Sequence, residues 1–166
     1  MNERNRRETA ASGSSGWRGF HHLALVTRDL DQTIEFYENV LGMKAGTVYP
    51  AKGGRGRHCF IHPGGTGTKG LHFFEHPEAE IFQSADAIRR LRRDPRGADI
   101  NRFLPGALQH IAFAAGSEEE ALALRNKLVA LDIPVTQVYD LGELRDFIFV
   151  DNNGIQIEVA WEKTGA

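Results

Sequence analysis

The sequence predicts an α+β fold built twice from one βαβββ unit, and three observations predict it. Shifting the chain by 88 positions lays His22-Leu23-Ala24 on His110-Ile111-Ala112. The same shift lays Asp29 and Gln32 on Ser117 and Glu120, each pair spaced like a capping box at a helix start. Segments with the two-residue alternation of half-buried strands flank both helices. The predicted boundaries are a polar tail over 1–18 and one domain over 19–162. Within the domain, module one covers 19–76, an insertion 77–106 and module two 107–162.

The elements follow in order. Residues 1–18 are rich in Ser, Gly and Arg and bury too little apolar surface to offset the entropy of ordering. Residues 20–27 alternate as a first strand. A helix begins after Asp29, with Ile34, Tyr37 and Leu41 on one face and Gly42 as its stop. Residues 43–49 form a second strand, 50–56 a turn, 57–62 a third strand and 71–76 a fourth, across a glycine-rich hairpin loop. The insertion contains a short helix over 81–93 and an arginine run (Arg89, Arg90, Arg92, Arg93, Arg96) that reads as a solvated face. Module two repeats the plan: strand 108–115, a helix with Leu124, Leu128 and Leu131 on its apolar stripe, then strands 135–139, 146–150 and 155–161. The turn Asp151-Asn152-Asn153-Gly154 joins the last two.

Composition excludes several classes. With 20 Lys and Arg against 22 Asp and Glu, the net charge of −2 gives no reason to expect nucleic acid or an anionic membrane as partner. The single Cys59 allows no internal disulfide, and no apolar run approaches membrane-spanning length. The expected setting is cytoplasmic. Cys59 reads as a packed small residue, with no charge or helix start beside it to activate a thiol.

The seven histidines fall mostly inside predicted strands. Period two puts His22 on a face with Ala24 and Val26, and His110 on a face with Ala112 and Ala114, so each imidazole has space beside it. His21 aligns with Gln109 and is expected to be a bystander. Glu158 lies mid-strand in Ile157-Glu158-Val159, where a carboxylate is costly unless it is paired or holds a cation. Leu71-His72-Phe73 matches that triplet and places His72 on Glu158. The candidate metal ligands are therefore His22, His72, His110 and Glu158, and two imidazoles with one carboxylate suffice for a facial site with open positions. Glu75 competes with His72 for the fourth position in another register.

The text carrying a family likeness is His21-His22-Leu23-Ala24-Leu25-Val26-Thr27-Arg28-Asp29-Leu30, Phe36-Tyr37, Val40-Leu41-Gly42-Met43, Gln109-His110-Ile111-Ala112-Phe113 and Asp151 to Glu158. It resembles the vicinal oxygen chelate superfamily, which includes glyoxalase I, extradiol dioxygenases, methylmalonyl-CoA epimerase and the fosfomycin and bleomycin resistance proteins. The resemblance implies a half-open mixed barrel around one divalent metal that chelates vicinal substrate oxygens. By position it assigns the metal to His22, His110 and Glu158, with His72 where glyoxalase I would have glutamate. The ion would be Fe(II), Mn(II), Ni(II), Co(II) or Zn(II).

Two departures bear on the reaction. The tyrosine that extradiol enzymes carry ten residues before the glutamate is Ile148 here, and residues 141–147 hold no histidine. The expected function is a metal-dependent enzyme acting on a small oxygen-rich substrate, with dioxygenase-like chemistry slightly ahead of isomerase or lyase chemistry. The alternative is a resistance protein that binds without turnover. Glu158 is the candidate catalytic group, able to move a proton if it leaves the metal. His58, Arg57, Tyr49, Tyr139 and Arg145 are candidate substrate-binding residues, and a homodimer is the expected assembly.

Overall fold

The computed structural model describes residues 20–52, 56–64, 69–79 and 108–163. The N-terminal tail and nearly all of the insertion, with its expected helix and arginine run, lie outside the described residues. No helix among those described is long and apolar enough to cross a membrane.

Module one contains β1 (Leu23–Thr27), α1 (Leu30–Glu35), a π-helical turn (Phe36–Val40), β2 (Lys44–Ala45), β3 (Tyr49–Pro50), β4 (Arg57–His62) and β5 (Leu71–Glu75). Its sheet order is β1-β5-β4-β2, with β3 also on β4. Module two contains β6 (Ile111–Ala114), α2 (Glu118–Ala130), β7 (Tyr139–Asp140), β8 (Leu144–Val150) and β9 (Gln156–Glu162), in the order β6-β9-β8-β7. Each first strand runs parallel to the last strand of its own module, and the other pairings are antiparallel.

The helix starts agree with the sequence. Asp29 accepts from the Gln32 backbone N–H at 2.9 Å, and Ser117 accepts from that of Glu120 at 3.1 Å. The Gln32 amide donates to the Asp29 carboxylate, while the Asp29 N–H donates to Thr27 Oγ1, so the reciprocal half of the box is made by a threonine. Four strands differ from expectation. Both strands bearing the key histidines begin one residue after them, at Leu23 and Ile111. The second strand of module one is split around Gly46, whose N–H still bonds Phe60 O; there a Cβ would stand 3.3 Å from that oxygen. Pro50 pairs inside β3, an edge position where its missing N–H costs no ladder bond. In module two the second strand shrinks to a Val135–Phe149 bridge followed by β7.

Two cores lie on the helix-facing sides of the sheets. One is built from Leu30, Tyr37, Cys59, Ile61, Leu71 and Phe73, the other from Ala121, Leu128, Phe147, Phe149, Ile157, Val159 and Trp161. Phe36, Leu41, Ile111, Phe113 and Ile155 pack against both and so join them. The seam is also polar. Tyr37 donates to Asp151 at 2.8 Å, and the amides of Asn152 and Asn153 donate to Thr33 Oγ1 at 3.1 Å. Burial pushes both the Tyr37 hydroxyl and the Asp151 carboxyl above their ordinary ranges, each by removing the charged form from water.

Candidate functional site

Strand register turns the sequence repeat into a spatial one. Ala24 pairs with His72 and Ala112 pairs with Glu158, so His72 and Glu158 occupy one position in the two modules. Phe60 pairs with His72 and Ile148 with Glu158; two residues earlier, His58 of β4 therefore corresponds to Asp146 of β8. Each module thus carries three polar positions on the sheet face away from its helix: His22, His58 and His72 in one, His110, Asp146 and Glu158 in the other.

In module one these positions are imidazoles set among rings. His58 Nδ1 and His72 Nε2 share a hydrogen bond at 2.8 Å, and the His22 and His72 ring centroids are 5.5 Å apart, edge to face. His72 is 9% exposed. Burial first, then the neighbouring His58 and His22, push its pKa below the ordinary histidine value, favouring the neutral ring that a metal ligand needs. His21 Nδ1 lies 2.7 Å from His22 Nδ1, so the expected bystander orients its neighbour.

In module two, His110 Nε2 lies 3.3 Å from Glu158 Oε2. His110 Nδ1 is buried with no hydrogen-bond partner among the described residues, and so is Asp146 Oδ1. Asp146 is 4% exposed, and burial, then the Glu158 charge, raise its pKa. Asp146 is not among the residues that the sequence singles out. The 88-residue shift that found His110 also lays His58 on Asp146, but an aspartate near a strand start carries no marker of its own.

The four expected metal ligands are thus brought together as two pairs, His22 with His72 and His110 with Glu158. Among the described residues, no three His, Cys, Asp or Glu side chains gather closely enough to hold one ion.

The fourth-position alternative, Glu75, has other partners. Arg57 donates to it twice, at 2.6 and 2.9 Å, and the Leu30 N–H donates at 3.1 Å. The Arg57 bonds hold its carboxyl below the usual range.

The candidate substrate residues divide in the same way. Arg57 bonds Glu75 and Asp31 of α1, and Arg145 bonds Glu118 of α2 and Asp140. Shifted by 88, Arg57 falls on Arg145, so in each module the same arginine ties its strand to its helix. Both share the strand parity of core residues, Arg57 with Cys59 and Arg145 with Phe147, and so stand on the helix side rather than on the histidine face. Tyr49 pairs with His58 and Tyr139 with Asp146, which keeps both tyrosines on the faces of interest. Burial pushes the Cys59 thiol up to about 11, consistent with an inert packed residue. An apolar cavity of about 230 Å³ lined by Leu41, Met43, Phe113, Leu124, Phe149 and Ile157 lies on the helix side and contains none of the histidines.

Residues 19–159 match the sequence profile of the Glyoxalase/Bleomycin resistance protein/Dioxygenase superfamily. The chain belongs to this superfamily. The solved structures that share its fold include a glyoxalase/bleomycin resistance protein/dioxygenase domain from Frankia sp. EAN1pec, 19% identical, with a TM-score of 0.63 over 93% of this chain and 100% of that one. A lactoylglutathione lyase from Agrobacterium tumefaciens is 21% identical, with a TM-score of 0.53 over 88% and 95%. TnmS3, an antibiotic binding protein from Streptomyces sp. CB03234, is 14% identical, with a TM-score of 0.59 over 89% and 98%. No curated protein matches the chain significantly. By their descriptions, the solved structures that share this fold include both a lyase and an antibiotic binding protein.

Proposed function

We propose that this superfamily member is a divalent-metal-dependent enzyme acting on a small oxygen-rich substrate. One observation carries the reading: the strand register puts His72 and Glu158 at a single repeated position, each beside the histidine that opens its module. Three imidazoles and a carboxylate suit Fe(II), Mn(II), Ni(II), Co(II) or Zn(II). The two pairs do not gather within one chain. Ile111 and Phe113, which pack against both cores, sit on the opposite strand parity from His110. The reading therefore includes a homodimer, in which His22 and His72 of one copy meet His110 and Glu158 of another. Once bound, the ion would polarise paired substrate oxygens.

The chain's own groups supply the rest. His58 holds the His72 ring through their shared hydrogen bond, and Glu158 would accept a substrate proton on leaving the metal. Dioxygenase-like chemistry stands ahead of isomerase or lyase chemistry, because an imidazole occupies the position where glyoxalase I would carry a second glutamate. Elemental analysis, light scattering and thermal shift test the reading together. The purified protein is expected to be a dimer holding about one ion per module-one/module-two pair, and chelation is expected to lower its melting temperature. His110→Ala is expected to abolish metal retention. Absence of bound metal, with no thermal response to any of the five ions, would overturn the reading.

A further inference from the structure

On the outward face of module one, rings line β4 and β5, beside Ala24 and Val26 of β1. Phe60 and His72, cross-strand partners, stack with centroids 3.9 Å apart and planes 18° from parallel. His58 and Phe74, the next pair, stack at 5.3 Å and 26°. His72 and Phe74 are 4.2 Å apart, and Tyr49 reaches His58 at 5.9 Å with 54% of its own surface exposed. Rings on neighbouring strands that stack on each other have their planes upright on the sheet. They therefore turn edges, not faces, toward whatever lies above. For Phe60 and Phe74 that edge is the positive end of the aromatic quadrupole. Lys69 adds a full charge, its ammonium 5.5 Å from the Phe60 centroid.

A row of ring edges is complementary to the electron-rich face of another ring, and the ammonium at its margin is complementary to an anion. We infer that module one binds a flat aromatic anion, such as an aromatic carboxylate or phenolate, with its π-face on the Phe60/His72 and His58/Phe74 rows and its charge toward Lys69. The inference rests on the functional reading above and names the chemical class of its substrate. Module two makes the assignment one-sided. At the positions of His58, Phe60 and Phe74 it has Asp146, Ile148 and Ala160, which offer no ring and no cation.

The test is a calorimetric titration of the full chain with 2-naphthoate, run on both chelator-treated and metal-loaded protein. Saturable binding is expected in both. The fully saturated decahydro-2-naphthoate is expected to bind at least tenfold more weakly. Lys69→Gln is expected to weaken 2-naphthoate roughly 2- to 5-fold while leaving the neutral 2-naphthamide unchanged. Phe60→Leu is expected to weaken naphthoate and naphthamide alike, by roughly 2- to 10-fold. Should Phe60→Leu fail to fold, the exposed Tyr49→Leu gives the same readout. Equal affinity for the flat and saturated acids, or no saturable binding, overturns the inference. Binding to metal-free protein that survives His110→Ala, together with failure to retain any metal, would sink the metalloenzyme reading and leave this one standing.

Discussion

Modules one and two share a backbone plan and differ on one side only. Toward their helices both sheets bury the same kind of surface: Ile61, Leu71 and Phe73 in one, Phe147, Ile157 and Val159 in the other, each with an arginine pinning strand to helix. Away from the helices, module one carries three imidazoles and two phenyl rings beside Ala24 and Val26, whereas module two carries one histidine and two carboxylates among Ala112, Ala160, Ile148 and Tyr139. The comparison teaches where each kind of constraint acts. Folding requires the helix side, so the two copies stayed alike there. The other side is free of that requirement, and there the copies diverged into a ring-rich, imidazole-bearing surface and a small, acidic one.

The strongest way to break the comparison is through the cores. Phe73→Ala and Phe149→Ala each empty a fully buried ring site and are expected to cost about 3–5 kcal/mol in chemical denaturation. A large loss in one and none in the other would show that the modules do not share the burden. Next comes the seam. Tyr37→Phe removes the hydroxyl that satisfies buried Asp151 and is expected to cost about 1–3 kcal/mol at neutral pH.

The strand-to-helix arginines give a smaller effect with a pH signature. Arg57→Met leaves Glu75, whose side chain is 12% exposed, without its main partner and is expected to lower the denaturation midpoint near neutrality. The folded pKa of Glu75 lies below its unfolded value, so the stabilisation is present above the ordinary carboxylate range and disappears as pH falls through it. Denaturation of wild type and variant should therefore converge in acid, and a constant gap across pH would contradict the assignment. Arg145→Met has more exposed partners, and a smaller shift of the midpoint is expected.

How far the sequence could be read follows the same division. The doubling, the two caps and the equivalence of His22 with His110 were legible because they depend on local spacing and on strand parity. The match of His72 to Glu158 was legible too, since a polar residue inside an apolar triplet announces itself; the register of β5 on β1 and of β9 on β6 then places both opposite an alanine. The partnership of His58 with His72 was not, because it depends on how β4 slides along β5. Nor were the roles of Arg57 and Arg145: an arginine at a strand start looks the same whether it faces a ligand or a helix, and only the positions of Asp31 and Glu118 decide it. The break at Gly46 depends on one carbonyl of a neighbouring strand.

The turn at Asp151–Gly154 has a consequence of another kind. Its bond to Tyr37 spans 114 residues, and the amides beside it reach Thr33 across 119 and 120. Contacts so distant along the chain form only after a large loop has been closed. The seam thus belongs to the end of the folding reaction, and weakening the turn should hasten unfolding while leaving the rate of folding nearly unchanged. A tight turn in the last copy of the repeat acts as the latch that sets how long the first copy stays folded.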